Sequence, residues 1–135
     1  MSDKENANYP ASSDIARSFL VGLADRDFER LSKCFHSYAR ARLLTPPGLM
    51  TPTNAVGIAE KFRKWFGNAD VFELEESDIA QVSDRLHISF RIRLHLDGEW
   101  YLCEQQIYCM VEEGVIEAID LICSGFRPSE PASVS

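Results

Sequence analysis

Gln105 heads the side chains of this 135-residue chain that are able to orient or activate a small molecule. On alternation it shares a strand face with Cys103, Ile107 and Cys109. A buried amide must find partners. Gln105 therefore reads either as a ligand-orienting donor and acceptor or as a group satisfied by backbone packed above it. Tyr101 follows on the same face, as a second hydrogen-bonding group or as a packing residue at the rim. Arg42 would clamp a carboxylate or enolate if Arg40 and Arg42 point inward. If Ala41, Leu43 and Thr45 point inward instead, both arginines are solvated, and the cost of an unpaired inward charge favours this orientation. In carbonyl chemistry Gln105, Tyr101 and Arg42 would polarise the oxygen by hydrogen bonding. A general base is the missing part, with His36 or Glu117 as the stand-ins.

These residues must be held by a sheet. From Leu86 to Leu96 the chain alternates apolar and polar residues without a break, so one face is dry and the other wet. An Asp97-Gly98 turn pairs Leu96 with Glu99, and so Ile92 with Cys103, Phe90 with Gln105 and Ile88 with Ile107. A three-residue Glu112-Glu113-Gly114 loop is expected next, placing Ile107 opposite Ile119, Gln105 opposite Leu121 and Cys103 opposite Cys123. A two-residue turn would instead bring Asp120 onto the dry face beside Ile107, a poor fit. Phe90, Ile107 and Leu121 then form an apolar wall for a ligand. The wet face collects His87, Ser89, Arg91, Arg93, His95, Glu104, Gln106, Tyr108 and Asp120. His87 beside Tyr108 and Arg91 opposite Glu104 suggest acid–base work. Cross-strand ion pairs on an exposed or dimer-covering surface account for them equally simply, and homodimerisation through this outer face is expected.

Ahead of the sheet the pattern is helical. Ser12, Ser13 or Asp14 can cap a first helix carrying Ile15, Phe19, Leu20 and Leu23. Asp27 caps a short second one with Phe28 and Leu31. A strand over 38–45 ends at Thr45-Pro46-Pro47-Gly48, which cannot continue a ladder. A third helix capped by Thr51 or Thr53 carries Ala55, Ile58, Phe62, Trp65 and Phe66 and stops at Gly67-Asn68. Phe62 and Trp65 would lid a pocket, though their spacing is also that of an ordinary core stripe. Strands are expected at about 71–76, 79–83, 86–96, 99–111 and 115–123, with a bulge near Glu76-Ser77-Asp78. Helices first and antiparallel strands after make an α+β fold. A single domain at 12–128 is expected between a flexible lead (1–11) and a flexible tail (129–135).

A net charge of −7 and the lack of a basic stripe argue against nucleic acid as a partner. The polar N-terminus and the absence of a long apolar run predict a cytoplasmic protein that does not engage a membrane. Cys103 and Cys109 lie roughly 20 Å apart along one strand, too far for a disulfide. Buried free thiols are expected, and no metal or cofactor.

The segments 40–48 (RARLLTPPG), 61–67 (KFRKWFG), 104–108 (EQQIY) and 119–128 (IDLICSGFRP), in this order of elements, resemble SnoaL-like domain proteins of the nuclear transport factor 2-like superfamily. The resemblance spans about residues 12–128. It implies three N-terminal helices on the concave face of a strongly bent mixed or antiparallel sheet, a cone with an internal pocket, often dimeric. Function varies widely across such a group. A ketosteroid isomerase site would need carboxyl groups where this chain has Thr45 and, nearby, Ile107. An epoxide hydrolase site would need an arginine bridging two aspartates on the dry face. Neither pattern is present. Asp120 retains interest because its strand position is polar in several relatives. The expected function is binding of a small hydrophobic or polyketide-like molecule, with cofactor-independent isomerase, cyclase or hydrolase chemistry or with none. A non-catalytic dimeric docking module is the alternative.

Overall fold

The computed structural model describes residues 2–129, with side chains from Ser13 onward. The expected tail, Ser129 apart, and the side chains of the expected lead lie outside the described residues. The elements run α1 (Ser2–Ala24), α2 (Phe28–Ser32), β1 (Phe35–Thr45), β2 (Gly48–Met50), α3 (Ala55–Phe66), β3 (Val71–Val82), β4 (Arg85–Leu96), β5 (Glu99–Glu112), β6 (Val115–Cys123) and β7 (Arg127–Pro128). The sheet order is β2-β1-β6-β5-β4-β3, with β7 on β5. Among the described residues only the β1–β6 pairing is parallel. Helices therefore gather on one face of a mixed, open sheet, the α+β cone expected from the order of elements.

Two short helices are started by side-chain caps. Asp27 accepts from the Arg30 amide, as its position suggested. Asn54, rather than Thr51 or Thr53, caps α3 by accepting from Gly57 N–H. α1 runs from Ser2 instead of starting at a Ser12–Asp14 cap. Between α1 and α2, Arg26 adopts a positive φ of 51° and reaches across to the Phe66 and Ala69 carbonyls at 3.1 and 2.7 Å. That bond pair fixes α3 against the helical hairpin.

The β4–β5 register is the expected one throughout, with Phe90 opposite Gln105 and Ile92 opposite Cys103. The β5–β6 register is not. The turn has two residues, Glu113 and Gly114, both at positive φ, the geometry that matches strand twist. Glu117 then bulges out between Ile116 and Ala118. The bulge restores the alternation that the tight turn alone would have reversed, so Asp120 stays outside. The consequence is a two-residue displacement: Ile107 faces Leu121, Gln105 faces Cys123 and Tyr108 faces Asp120. β3 is one continuous strand with its irregularity between Leu74 and Glu76, one residue ahead of the expected break. β1 presents Ala39, Ala41 and Leu43 inward and both Arg40 and Arg42 to solvent.

The core lies between α1, α3 and the concave sheet face. Phe19 sits at its centre, its ring 5.7 Å from Phe62, 6.2 Å from Phe90 and 6.3 Å from Phe35. Edge and tilted contacts of this kind add to the area buried by each ring. The depth of the cone, where an internal pocket was expected, is occupied by these rings.

Candidate functional site

Among the recesses open to a ligand, the most apolar lies at the rim of the cone. A recess of about 680 Å³ is bounded by the β1–β2 turn (45–50), Trp65 of α3 and the connection 123–126 that leaves β6. Its walls follow from local sequence. Pro46-Pro47 cannot continue the β1 ladder, and the chain reverses between Thr45 and Gly48, whose carbonyl accepts from Thr45 Oγ1 at 3.0 Å. On the opposite side Gly125 holds a φ of 80°. A Cβ there would stand 2.7 Å from Pro46 Cγ, so only glycine allows the two loops this close. Phe126 stacks on Phe66 at 5.9 Å and closes the third side.

Cys123 forms the inner end of the recess. Its sulfur lies 3.7 Å from that of Cys103 and accepts from Gly125 N–H at 3.3 Å. The Cys103 thiol in contact with it, together with Gly125 N–H, holds Cys123 below the ordinary thiol range against the opposing effect of burial. The same pairing and burial push Cys103 upward. Burial alone raises Cys109 to about 12, and burial also raises Cys34. All four cysteines are free and buried.

Beside Cys123, as its cross-strand partner, stands Gln105, 1% exposed. Neither its Oε1 nor its Nε2 has a hydrogen-bond partner. A neutral thiol beside the amide is too weak a partner to replace water. Leaving such a group unpaired costs about 1–3 kcal/mol. Among the described residues it is the one buried polar side chain outside the cysteines.

The other candidates are dispersed. Tyr101 is half-buried against Phe126, at 5.9 Å, one ring removed from the recess. Trp65 lines the recess, whereas Phe62, Phe90, Ile107 and Leu121 are packed in the core. Arg42 and Asp120 meet each other on the outer face, where Arg85 also approaches Asp120 at 3.8 Å. The expected anion clamp is thus satisfied by an internal carboxylate in solvent. His36 is exposed at the start of β1, its Nδ1 accepting from Tyr38 N–H. Glu117 is half-buried at the β6 bulge. On the outer face His87 stacks on Tyr108 at 4.6 Å and bonds Gln106, while Arg91 bridges Glu76 and Glu104.

Sequence reasoning passed over Cys123, Phe126, Met50 and the proline turn as a lining. The one signal was the Ser124-Gly125-Phe126 run, whose glycine marks a sharp change of direction immediately after a strand. Its apposition to Pro46, about eighty residues earlier, leaves no local trace.

No protein-family model and no curated protein matches the chain. Solved structures match its fold. An LEH-like epoxide hydrolase from M. tuberculosis is 14% identical with a TM-score of 0.66, over 85% of this chain and 84% of that one. A protein of ketosteroid isomerase-like fold from Catenulispora acidiphila, in complex with trimethylamine, is 12% identical at a TM-score of 0.69, over 82% and 85%. A nuclear transport factor 2-like protein from Burkholderia xenovorans is 10% identical at a TM-score of 0.66, over 85% and 90%. At these identities the common property is the fold, which is nuclear transport factor 2-like, as the sequence segments implied.

Proposed function

We propose that this chain binds a small hydrophobic, polyketide-like organic molecule in the rim recess, with a carbonyl or hydroxyl of the ligand directed toward Gln105. The observation that carries the reading is the buried, unpartnered amide of Gln105, the cross-strand neighbour of Cys123 in the recess wall. Protein interiors rarely retain such a group unless something answers it, and ligand sites combine apolar walls with few, well-placed polar groups. Met50, Leu49, Trp65 and Phe126 supply the apolar wall. Binding without turnover fits this lining better than catalysis. The residues that border the recess include no carboxylate or histidine to serve as a base, and Cys123 is their one ionisable side chain.

The test is a thermal-shift and calorimetric screen of aromatic ketones, quinones and hydroxylated polyketide-like compounds against the wild type and Gln105→Leu. The variant should bind a hit at least about fivefold more weakly, the weight of one lost hydrogen bond of about 1 kcal/mol. Equal affinity for both proteins would remove Gln105 from the site.

A second reading, a homodimeric docking module, rests on a different observation. Leu44 and Ile122 are neighbours across β1 and β6 and are 48% and 60% exposed, with exposed Tyr108 on the adjoining strand. A second copy packed on this outer face would cover them. Light scattering should then report a dimer that Ile122→Lys converts to a folded monomer. A monomeric wild type at high concentration sinks this reading.

A further inference from the structure

We propose that Cys123 and Cys103 form a dithiol modification site at the end of the rim recess, which reduces a small hydroperoxide and closes into an intramolecular disulfide. Three features of the fold converge on it. The sulfurs are already in contact at 3.7 Å, and disulfide formation requires closure to about 2.05 Å. Cys123 borders the recess and Cys103 is fully buried behind it, so an oxidant entering from outside meets Cys123 first. Cys123 is also the last residue of β6. Pairing with β5 runs only one residue further, to the Ser124 N–H bond with the Glu104 carbonyl, and a strand end can shift more readily than a mid-strand residue.

The local chemistry orders the two steps. Gly125 N–H donates to the Cys123 sulfur, and the Cys103 sulfur is close enough to share a hydrogen with it, so negative charge is better held on Cys123, beside the recess, than on the enclosed Cys103. The Cys123 thiolate attacks the distal oxygen of ROOH. An S–O bond forms, the O–O bond breaks, and the departing alkoxide takes a proton to leave as ROH with Cys123 as sulfenic acid. Cys103 sulfur then attacks the Cys123 sulfur, displacing hydroxide that leaves as water with the Cys103 proton. Overall two thiols and ROOH give a disulfide, ROH and water, a two-electron exchange. Cys109 is the internal control. It is fully buried, lies on the same strand as Cys103, and burial alone shifts its thiol.

This inference shares the recess with the ligand reading but does not rest on it, since neither the ligand nor the Gln105 result enters the thiol experiment. Reduced full-length protein is exposed to stoichiometric hydrogen peroxide at neutral pH, alkylated after denaturation and mapped without reductant. The expected product is a Cys103–Cys123 cross-linked peptide that dithiothreitol reverses, with Cys34 and Cys109 still alkylated. In Cys103→Ser, dimedone should label Cys123. In Cys123→Ser, peroxide consumption should fall at least about tenfold, leaving Cys103 as thiol. Peptide mapping of the wild type decides the matter even if a serine variant fails to fold. Oxidation of Cys109 or Cys34 at the same rate, no cross-link in the wild type, or undiminished peroxide consumption in a folded Cys123→Ser protein would each overturn the proposal.

Discussion

The two faces of β4 and β5 obey opposite rules about polar groups. On the outer face charged and polar residues predominate, and most of the charged ones are answered across the strands. Arg91 holds Glu76 and Glu104, Arg93 holds Glu75, and His87 holds Gln106. Solvent screens whatever the pairs leave over. On the inner face Ile88, Phe90, Ile92, Leu94, Cys103, Ile107 and Cys109 are all buried, and a single amide among them is unanswered. Abundance of titratable groups is therefore a poor guide to function in this sheet. One unpaired group in a dry place carries more information than a dozen paired ones at the surface.

The contrast can be tested by substitution, the largest effect being expected at the centre of the inner face. Phe19→Ala removes the ring that joins Phe35, Phe62 and Phe90 and should cost about 3–5 kcal/mol in urea unfolding. A loss below about 1 kcal/mol would mean that the rings do not form one packed unit. Gln105→Leu is next and opposite in sign. It keeps an inward side chain of similar size while deleting both orphaned atoms, so the ligand-free protein should gain about 1–3 kcal/mol. Destabilisation by this variant would show that the amide is satisfied in solution and that the inner face has no special residue. Arg91→Ala is the smallest. Both of its ion pairs are more than a third exposed, and their loss should change the unfolding free energy by less than about 1 kcal/mol, less still at high salt. A larger loss would mean that the outer face is shielded from solvent, as a dimer interface would make it.

The β4–β5 hairpin was legible because two independent signals agreed. Unbroken alternation fixed which residues face inward, and Asp97-Gly98 fixed the register. The β5–β6 hairpin carried conflicting signals. Its pattern demanded Asp120 outside while its loop offered a tight turn, and the chain satisfies both with a bulge at Glu117. A three-residue loop resolves the same conflict on paper, at the price of a two-residue error in every cross-strand partner. Gln105 was identifiable as suspicious from its place among apolar neighbours. That its amide goes unpaired was not, because partners from α1, α3 or any loop lie far away in sequence.

By itself the sequence determined the order of the helices and main strands, though not the short β2 and β7, together with the two-faced sheet and the identity of its inner residues, since these depend on periodicities and turns a few residues long. Tertiary structure alone decided which arginine face of β1 meets solvent, that Arg42 and Asp120 neutralise each other, and that Phe19 fills the depth of the cone. It also decided that the recess opens at the rim, where Pro46 and Gly125 approach, with the sulfurs of Cys103 and Cys123 in contact at its inner end. Those outcomes depend on distances between segments that only the closed chain brings together, and no local pattern of residue types encodes such a distance.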